Sequence, residues 1–594
     1  MASAIANLPA ELIEAVLIVA AASGNPNSIA ALSQTSKFFY ELIYCCPDQH
    51  LWREIFLTTF DDPRPALNHL TTMSDGHHNL EFNWTREYID RISAARYIRR
   101  PVQTTAPVSS QSKVLDIPVP SLSVVKALLS VITTSLPFPS SPRISLTILN
   151  DFPESKSPFA PMTNAPLLPP LLHLLTANYS AMLGSVNVPW LQDLLEIGLP
   201  PELTRTLMAK LSFDVQGHAP YQPTLTSASQ WDGSVVGQLF HKLVCCTGFI
   251  PIAAPDEDMP PLPITCSRPL LYTPEGQSAD ARTLARRRVY DMRYLGPARM
   301  WGPFQPVRRN TTDSPESNHL EILDEDENED NDEDDDDDDL GLMHFGLMHG
   351  HRVPDVDPPI EPYELVPDYV WLASARIVVE ANLREMPPPF SASDVLPYMR
   401  KMYAMSIGGS PGYWNAWANR PGEGDRSEGS EKSKQGEVEG WDWAGISGVW
   451  KRCVCWLDYR DLLSKYSRFL QDDIQEACRI IPIAVRITGY SESRIPPGNA
   501  TRALPTIHFE GESLGSDHSL TELRKVTGTV SMIGDGAIRW QTVSTAAGSN
   551  EPEWSSEAVQ IGGPGAAVGF LGMWTGAMHE RPDPLGPFWA WKVA

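Results

Sequence analysis

The stretch VTGTVSMIGDGAIRWQTVS, residues 526–544, decides how the C-terminal part of this chain is read. Two runs, Val526–Ile533 and Ala537–Ser544, flank Gly534-Asp535-Gly536. Both are rich in β-branched and aromatic residues, and Gly-Asp-Gly supplies the positive-φ positions of a tight hairpin turn. Working outward, similar runs recur at 448–463 (GVWKRCVCWLDYRDLL), 482–490 (PIAVRITGY), 505–511 (PTIHFEG), 557–563 (EAVQIGG), 568–576 (VGFLGMWTG) and 586–593 (GPFWAWKV). Eight short strands separated by turns predict an antiparallel β-barrel or sandwich over residues 439–594. Closure as a barrel would leave no sticky edge.

The alternation within these strands carries a functional hint. In the first, Val449, Cys453, Cys455, Leu457 and Tyr459 fall on one side, while Trp450, Arg452, Trp456, Asp458 and Arg460 fall on the other. Arg486, His508 and Arg539 also alternate with apolar neighbours. Turned inward, Arg452, Trp456, Arg460, Arg486, His508 and Arg539 would line a client pocket of cations between tryptophans, suited to a carboxylate or a peptide end. Turned outward, the commoner arrangement, they would form a solvated sheet face.

At 594 residues the chain is too long for one core. Its formal net charge is −26, but the run 324–339 is almost wholly acidic, and without it the balance is only moderately negative. Clustered bases are what nucleic-acid binding needs, so that class is disfavoured. The 8 cysteines include no Cys-x-x-Cys pair, which argues for reduced thiols in a cytoplasmic or nuclear protein and against structural zinc. Residues 12–22 (LIEAVLIVAAA) lack the preceding basic residues of a signal peptide, and no run reaches membrane-spanning length, so no membrane role is expected.

At the N-terminus, LPAELIEAVLIVAA opens a helix with Pro9 in its first turn and Glu11 beside it, favoured by the helix dipole. Its apolar positions merge into a wide stripe. A second helix is expected over SIAALSQTSKFFYELIY, and a third carries Leu51, Trp52, Ile55 and Phe56. Three helices this apolar cannot hide everything within sixty residues. Either a foreign partner covers the excess, or the helices cap the chain's own downstream domain. Leu8-Pro9, Glu11, Leu12, Leu32-Ser33-Gln34-Thr35-Ser36-Lys37, Phe39 and Leu51-Trp52-Arg53 resemble the F-box pattern in order and spacing. That resemblance implies a surface for a Skp-family adaptor and, through it, cullin, with Leu8, Pro9, Leu12, Ile13, Leu32 and Trp52 building or supporting it. The wider chain also looks like a group of fungal F-box proteins, through LWREIFLTTFDDPRP, the helical middle and WDWAG…GPFWAWKV. In architecture and a few glycine- and tryptophan-bearing strands its last module resembles the barrel of some mammalian F-box-only proteins that receive degron peptides; no site residue transfers.

The resulting layout is multidomain α+β: a three-helix F-box (1–60), linker helices (61–100), an irregular helical middle (101–304), a disordered acidic segment (305–360), a helical segment (361–405), a flexible loop (406–438) and the barrel-like module. FNWTREYIDRISAARYIRR (82–100) is read as a coupling helix. Helices are expected at 121–136 and 168–183, as a pair over 190–211 parted by Gly198 and Pro200-Pro201, and from Leu372 through Leu383. The arginine-rich segment 278–304 is read as an exposed, solvated helix in preference to a cationic strip for phosphate or an acidic partner, and His344, His349 and His351 as binding nothing specific. Two catalytic look-alikes fail. Gly408-Gly409-Ser410-Pro411-Gly412 puts a proline where an esterase elbow needs an N–H, and Gly563-Pro564-Gly565 lacks dinucleotide-loop spacing. No catalytic residue, metal or cofactor is assigned. The function expected is a non-catalytic substrate-recruiting subunit of a ubiquitin ligase that presents a client protein or degron peptide; the alternative is a ligand-binding barrel with a helical cap.

Overall fold

The computed structural model describes residues 8–64 (save 47), 67, 82–99, 122–135, 186–195, 235–248, 282, 285, 286, 288–291, 301–306, 361–385, 438, 440–457, 476–496, 504–513, 523–562 (save 547), 569–580 and 583–592. The expectations for the acidic run, the three histidines, the 168–183 helix, the 406–438 loop (save residue 438) and both catalytic look-alikes lie outside these residues.

Eight strands form a closed antiparallel barrel: β3 (Gly448–Trp456), β4 (Ala477–Ser491), β5 (Thr506–Ser513), β6 (Arg524–Met532), β7 (Ile538–Ala546), β8 (Pro552–Ile561), β9 (Gly569–Gly576) and β10 (Leu585–Lys592). Each strand pairs with its sequence neighbour, and β10 closes on β3 with Trp589 opposite Cys453. The hairpin read at 526–544 is present, with Met532 opposite Ile538 and Gly536 at φ 80°. Closure removes every free edge. Eight strands leave an interior that side chains can fill or one small ligand can share.

One end of that interior is packed with aromatics. Trp540 stacks on Phe570 at 4.2 Å, and Trp450 meets both rings. The WDWAG turn plugs this end. Asp442 accepts from the backbone N–H groups of Ile446 (2.7 Å) and Ser447 (3.0 Å), and buried Trp443 donates to the Pro505 carbonyl at 2.8 Å. At the other end glycines keep the strands close. A Cβ on Gly586 would lie 2.0 Å from the Cys455 carbonyl oxygen, so no larger residue fits there.

The outer face of β8, β9, β10 and β3 is apolar as well, because the helix Tyr369–Glu385 lies on it. Every residue from Tyr369 to Leu383 is buried, as a helix covered all round must be. The barrel covers one side through Leu571, Met573, Trp589 and Trp591, and the helix Val235–Thr247 covers the other. Arg376 survives there by donating to the Cys245 carbonyl (3.0 Å), pairing with Glu380 and lying over the Trp589 ring at 5.2 Å. Ahead of this helix, the short strands β1 (Phe304–Pro306) and β2 (Leu365–Pro367) pair, and the Gly534 N–H donates to the Leu365 carbonyl, tethering the β6–β7 turn.

The helical layer continues from Val235–Thr247 to Leu122–Thr133 and then to Trp84–Arg99, the coupling helix of the sequence reading. Arg91 makes the coupling. Its guanidinium lies 4.8 and 4.9 Å from the Phe56 and Phe60 rings and donates to Ser130 (3.0 Å) and Thr134 (2.9 Å). Four N-terminal helices stand where three were expected: Ala10–Ala22 (α1), Pro26–Ser33 (α2), Lys37–Tyr44 (α3) and His50–Leu57 (α4). The expected second helix breaks at Gln34-Thr35-Ser36 because the Ser36 hydroxyl caps a new one, accepting from the Phe39 N–H at 3.3 Å.

Candidate functional site

Three assemblies of side chains stand out, and the first lies at the end of the barrel opposite the WDWAG turn. Arg452 and Trp456 alternate with Cys453 and Cys455, which the helical layer covers, so they face the lumen. The Arg452 guanidinium lies 5.5 Å from the Phe588 ring centre, and its Nε has no hydrogen-bond partner among the described residues. Burial, and secondarily the like charge of Arg524, draws its pKa down to about 10. Arg479 sits exposed at the rim, 5.3 Å over the Trp456 ring. Arg524 is held by Glu553 through contacts of 3.0 and 3.2 Å. Trp574 meets Trp456 edge-on at 6.4 Å and Trp554 at 5.3 Å, completing an aromatic wall. Cations between indoles, with one guanidinium N–H that has no partner among the described residues, suit an anionic group carried on an apolar stem.

The other pocket residues of the sequence reading do not join this cluster. Arg486, His508 and Arg539 lie on the outer face, because their neighbours Val485, Ile487, Ile507, Phe509, Ile538 and Trp540 fill the inside. Arg486 pairs with Glu510 at the surface, and His508 shares a 2.8 Å hydrogen bond with Ser491. Arg539 is locked by Glu557 at 2.7 and 2.8 Å and covered by the Phe304 ring. His508 and Glu557 border a separate surface groove of about 550 Å³ across β5–β8. Arg460 lies outside the described residues.

The second assembly is on α1, which carries two apolar stripes. Ile13, Leu17 and Ala21 are buried in the four-helix core. Leu12 (53% exposed), Val16 (62%) and Val19 (63%) form the opposite stripe, extended by Leu8 (43%). Pro9 is exposed and Leu32 half-buried. Ile13 and Trp52 face inward, so neither can touch a partner directly. They shape the helices that present Leu8 and Leu12.

The third assembly was not foreseen. Cys453 and Cys455 on β3 meet Cys478 on β4, with all three sulfurs within 4.8 Å of one another. Beside them Glu476 binds Arg282 and Arg286, each at 3.0 Å, and accepts from Tyr290 at 2.7 Å and Asn382 at 3.0 Å. These two arginines, expected on a solvated helix, are instead drawn in by a buried carboxylate. Register, not spacing, brings Cys478 to the others: it lies directly opposite Cys455.

The fold and these assemblies define an α+β chain in which a closed eight-stranded antiparallel barrel, cationic and aromatic at one end, is joined through a helical layer to an N-terminal helical unit. The chain matches no family model, no curated protein and no solved structure. Among the described residues no helix is long and apolar enough to cross a membrane.

Proposed function

We propose that this chain is a substrate-recruiting F-box subunit of a Skp–cullin–F-box ubiquitin ligase. The observation that carries the reading is the outward stripe of α1. Leu8, Leu12, Val16 and Val19 stay in water although the same helix already buries Ile13, Leu17 and Ala21. An apolar row on a helix whose other side is fully used is the mark of a missing partner. The F-box resemblance supplies the kind of partner, a Skp-family adaptor that leads on to cullin. The cationic, tryptophan-walled end of the barrel is the client site on this reading, taking a carboxylate or peptide end against Arg452 and Arg479. The chain contributes positioning alone, holding a client within reach of a charged ubiquitin-conjugating enzyme.

A ligand-binding barrel with a helical cap is the second reading. It is favoured by one feature: the N-terminal core continues into Trp84, Tyr88 and Val131 of the downstream helices. Affinity purification of the full chain with Skp-family adaptor and cullin present separates the two. Recovery of a Skp complex that Leu12→Asp with Val16→Asp abolishes supports the F-box reading. A monomer carrying a small molecule and no Skp supports the cap.

A further inference from the structure

The cysteine cluster lies on the outer face of β3 and β4, away from the lumen and from α1. Cys453 and Cys455 are fully buried, while Cys478 is half-buried and gives the cluster its access. The Cys453 and Cys478 sulfurs are 3.2 Å apart, and those of Cys455 and Cys478 are 3.9 Å apart. At a metal–sulfur bond of about 2.3 Å, three sulfurs around one ion in a plane lie about 4 Å from each other. We propose that Cys453, Cys455 and Cys478 bind a single soft d10 metal ion, Cu(I) or Zn(II), as three thiolates.

Three features of the surroundings support this. Thiolate sulfur is the donor type that selects these ions. All three donors sit on adjacent paired strands of a closed barrel, so the site is set by the fold before the metal arrives. The neighbouring charge fits as well. Arg282 and Arg286 both pair with the single carboxylate of Glu476 beside the cysteines, so two cations to one anion surround an anionic metal–trithiolate centre. Glu476 itself already accepts from Arg282, Arg286, Asn382 and Tyr290, which leaves sulfur as the donor set. Bound metal would cross-link β3 to β4 beside the contact with Arg282 and Arg286.

The test uses the full chain, reduced and kept free of oxygen, titrated with Cu(I) in one arm and Zn(II) in the other against a chromophoric chelator of each ion. One equivalent bound in either arm is expected, with a rise in melting temperature. Cu(I) alone indicates the trigonal trithiolate; Zn(II) indicates the same three thiolates plus a solvent ligand. Cys478→Ser should weaken binding on the order of 100-fold and abolish the thermal shift, since a lost ligand is a lost bond. Cys453→Ser serves as the second variant should Cys478→Ser fail to fold, and Cys45→Ser with Cys46→Ser, remote in the N-terminal unit, should bind like the wild type. No binding in either arm, full binding by both Cys478→Ser and Cys453→Ser, or an untreated chain two hydrogens lighter through a disulfide among the three would each overturn the proposal.

Discussion

The indole N–H of Trp52 donates to the carbonyl oxygen of Ile43 at 2.6 Å, tying α4 to the last turn of α3 in a buried contact. The tryptophan that the F-box resemblance singles out is therefore an internal strut, and the partner-facing side chains are the aliphatic ones of α1. Trp52→Phe should cost about 1–3 kcal/mol by stranding a buried acceptor. Urea unfolding measures that loss, and the folded fraction should still bind a Skp-family adaptor. Leu12→Asp should do the reverse, leaving unfolding unchanged and weakening the complex.

Arg452 is a cation held in the barrel at the expense of its hydration, with an Nε that has no hydrogen-bond partner among the described residues. Arg452→Met keeps the apolar stem and removes the charge, so the melting temperature should hold or rise. The same variant should lose binding of peptides ending in a free carboxylate, read by fluorescence of the neighbouring tryptophans. Retained peptide binding would remove Arg452 from the client site.

Lys451 points away from the lumen, and burial alone lowers its pKa to about 8. The unfolded chain keeps that proton up to about 10.4. Between these values the unfolded state binds more protons than the folded one, so stability should rise with pH across about 8 to 10. Lys451→Met should stabilise the protein below pH 8, with the gain fading by about pH 10. Thermal melts of both proteins across that range check the sign.

Arg91 fills the space between Phe56, Phe60 and the hydroxyls of Ser130 and Thr134. Arg91→Ala should open a cavity there and cost about 2–5 kcal/mol. If Arg91 joins the two units, the N-terminal helices of that variant should become protease-sensitive before the barrel does.

Much of this fold is legible in the chain, and where legibility stops has physical causes. All eight strands announce themselves through alternation and turn residues, because one face of each must fill the barrel. The sense of that alternation is harder to read on β3. The helix Tyr369–Glu385 makes its outer face apolar too, so Cys453 and Trp450 look alike in sequence although they point opposite ways. On β4 and β7 the rule that apolar residues fill the inside puts Arg486 and Arg539 outside, yet the same rule would have put Arg452 there, and it lies within. Cys478 escapes notice because cross-strand register brings it to Cys455 across more than twenty residues of chain. Glu476 gave no signal, since a carboxylate ahead of a strand is ordinary until its arginine partners are known. At the N-terminus the helix break at Ser36 was available in the sequence: Thr35-Ser36 ahead of an apolar run is a capping signal.

The claim that most of this rests on is that α1 offers its outer stripe to an adaptor. Calorimetric titration of a purified Skp-family adaptor into the full chain tests it most directly. Saturable one-to-one binding is predicted, weakened on the order of 100-fold by Leu12→Asp with Val16→Asp, because two charges would enter an apolar contact. The melting curve of that variant should match the wild type. No heat from the wild-type chain, or undiminished affinity in the double variant, would contradict the account.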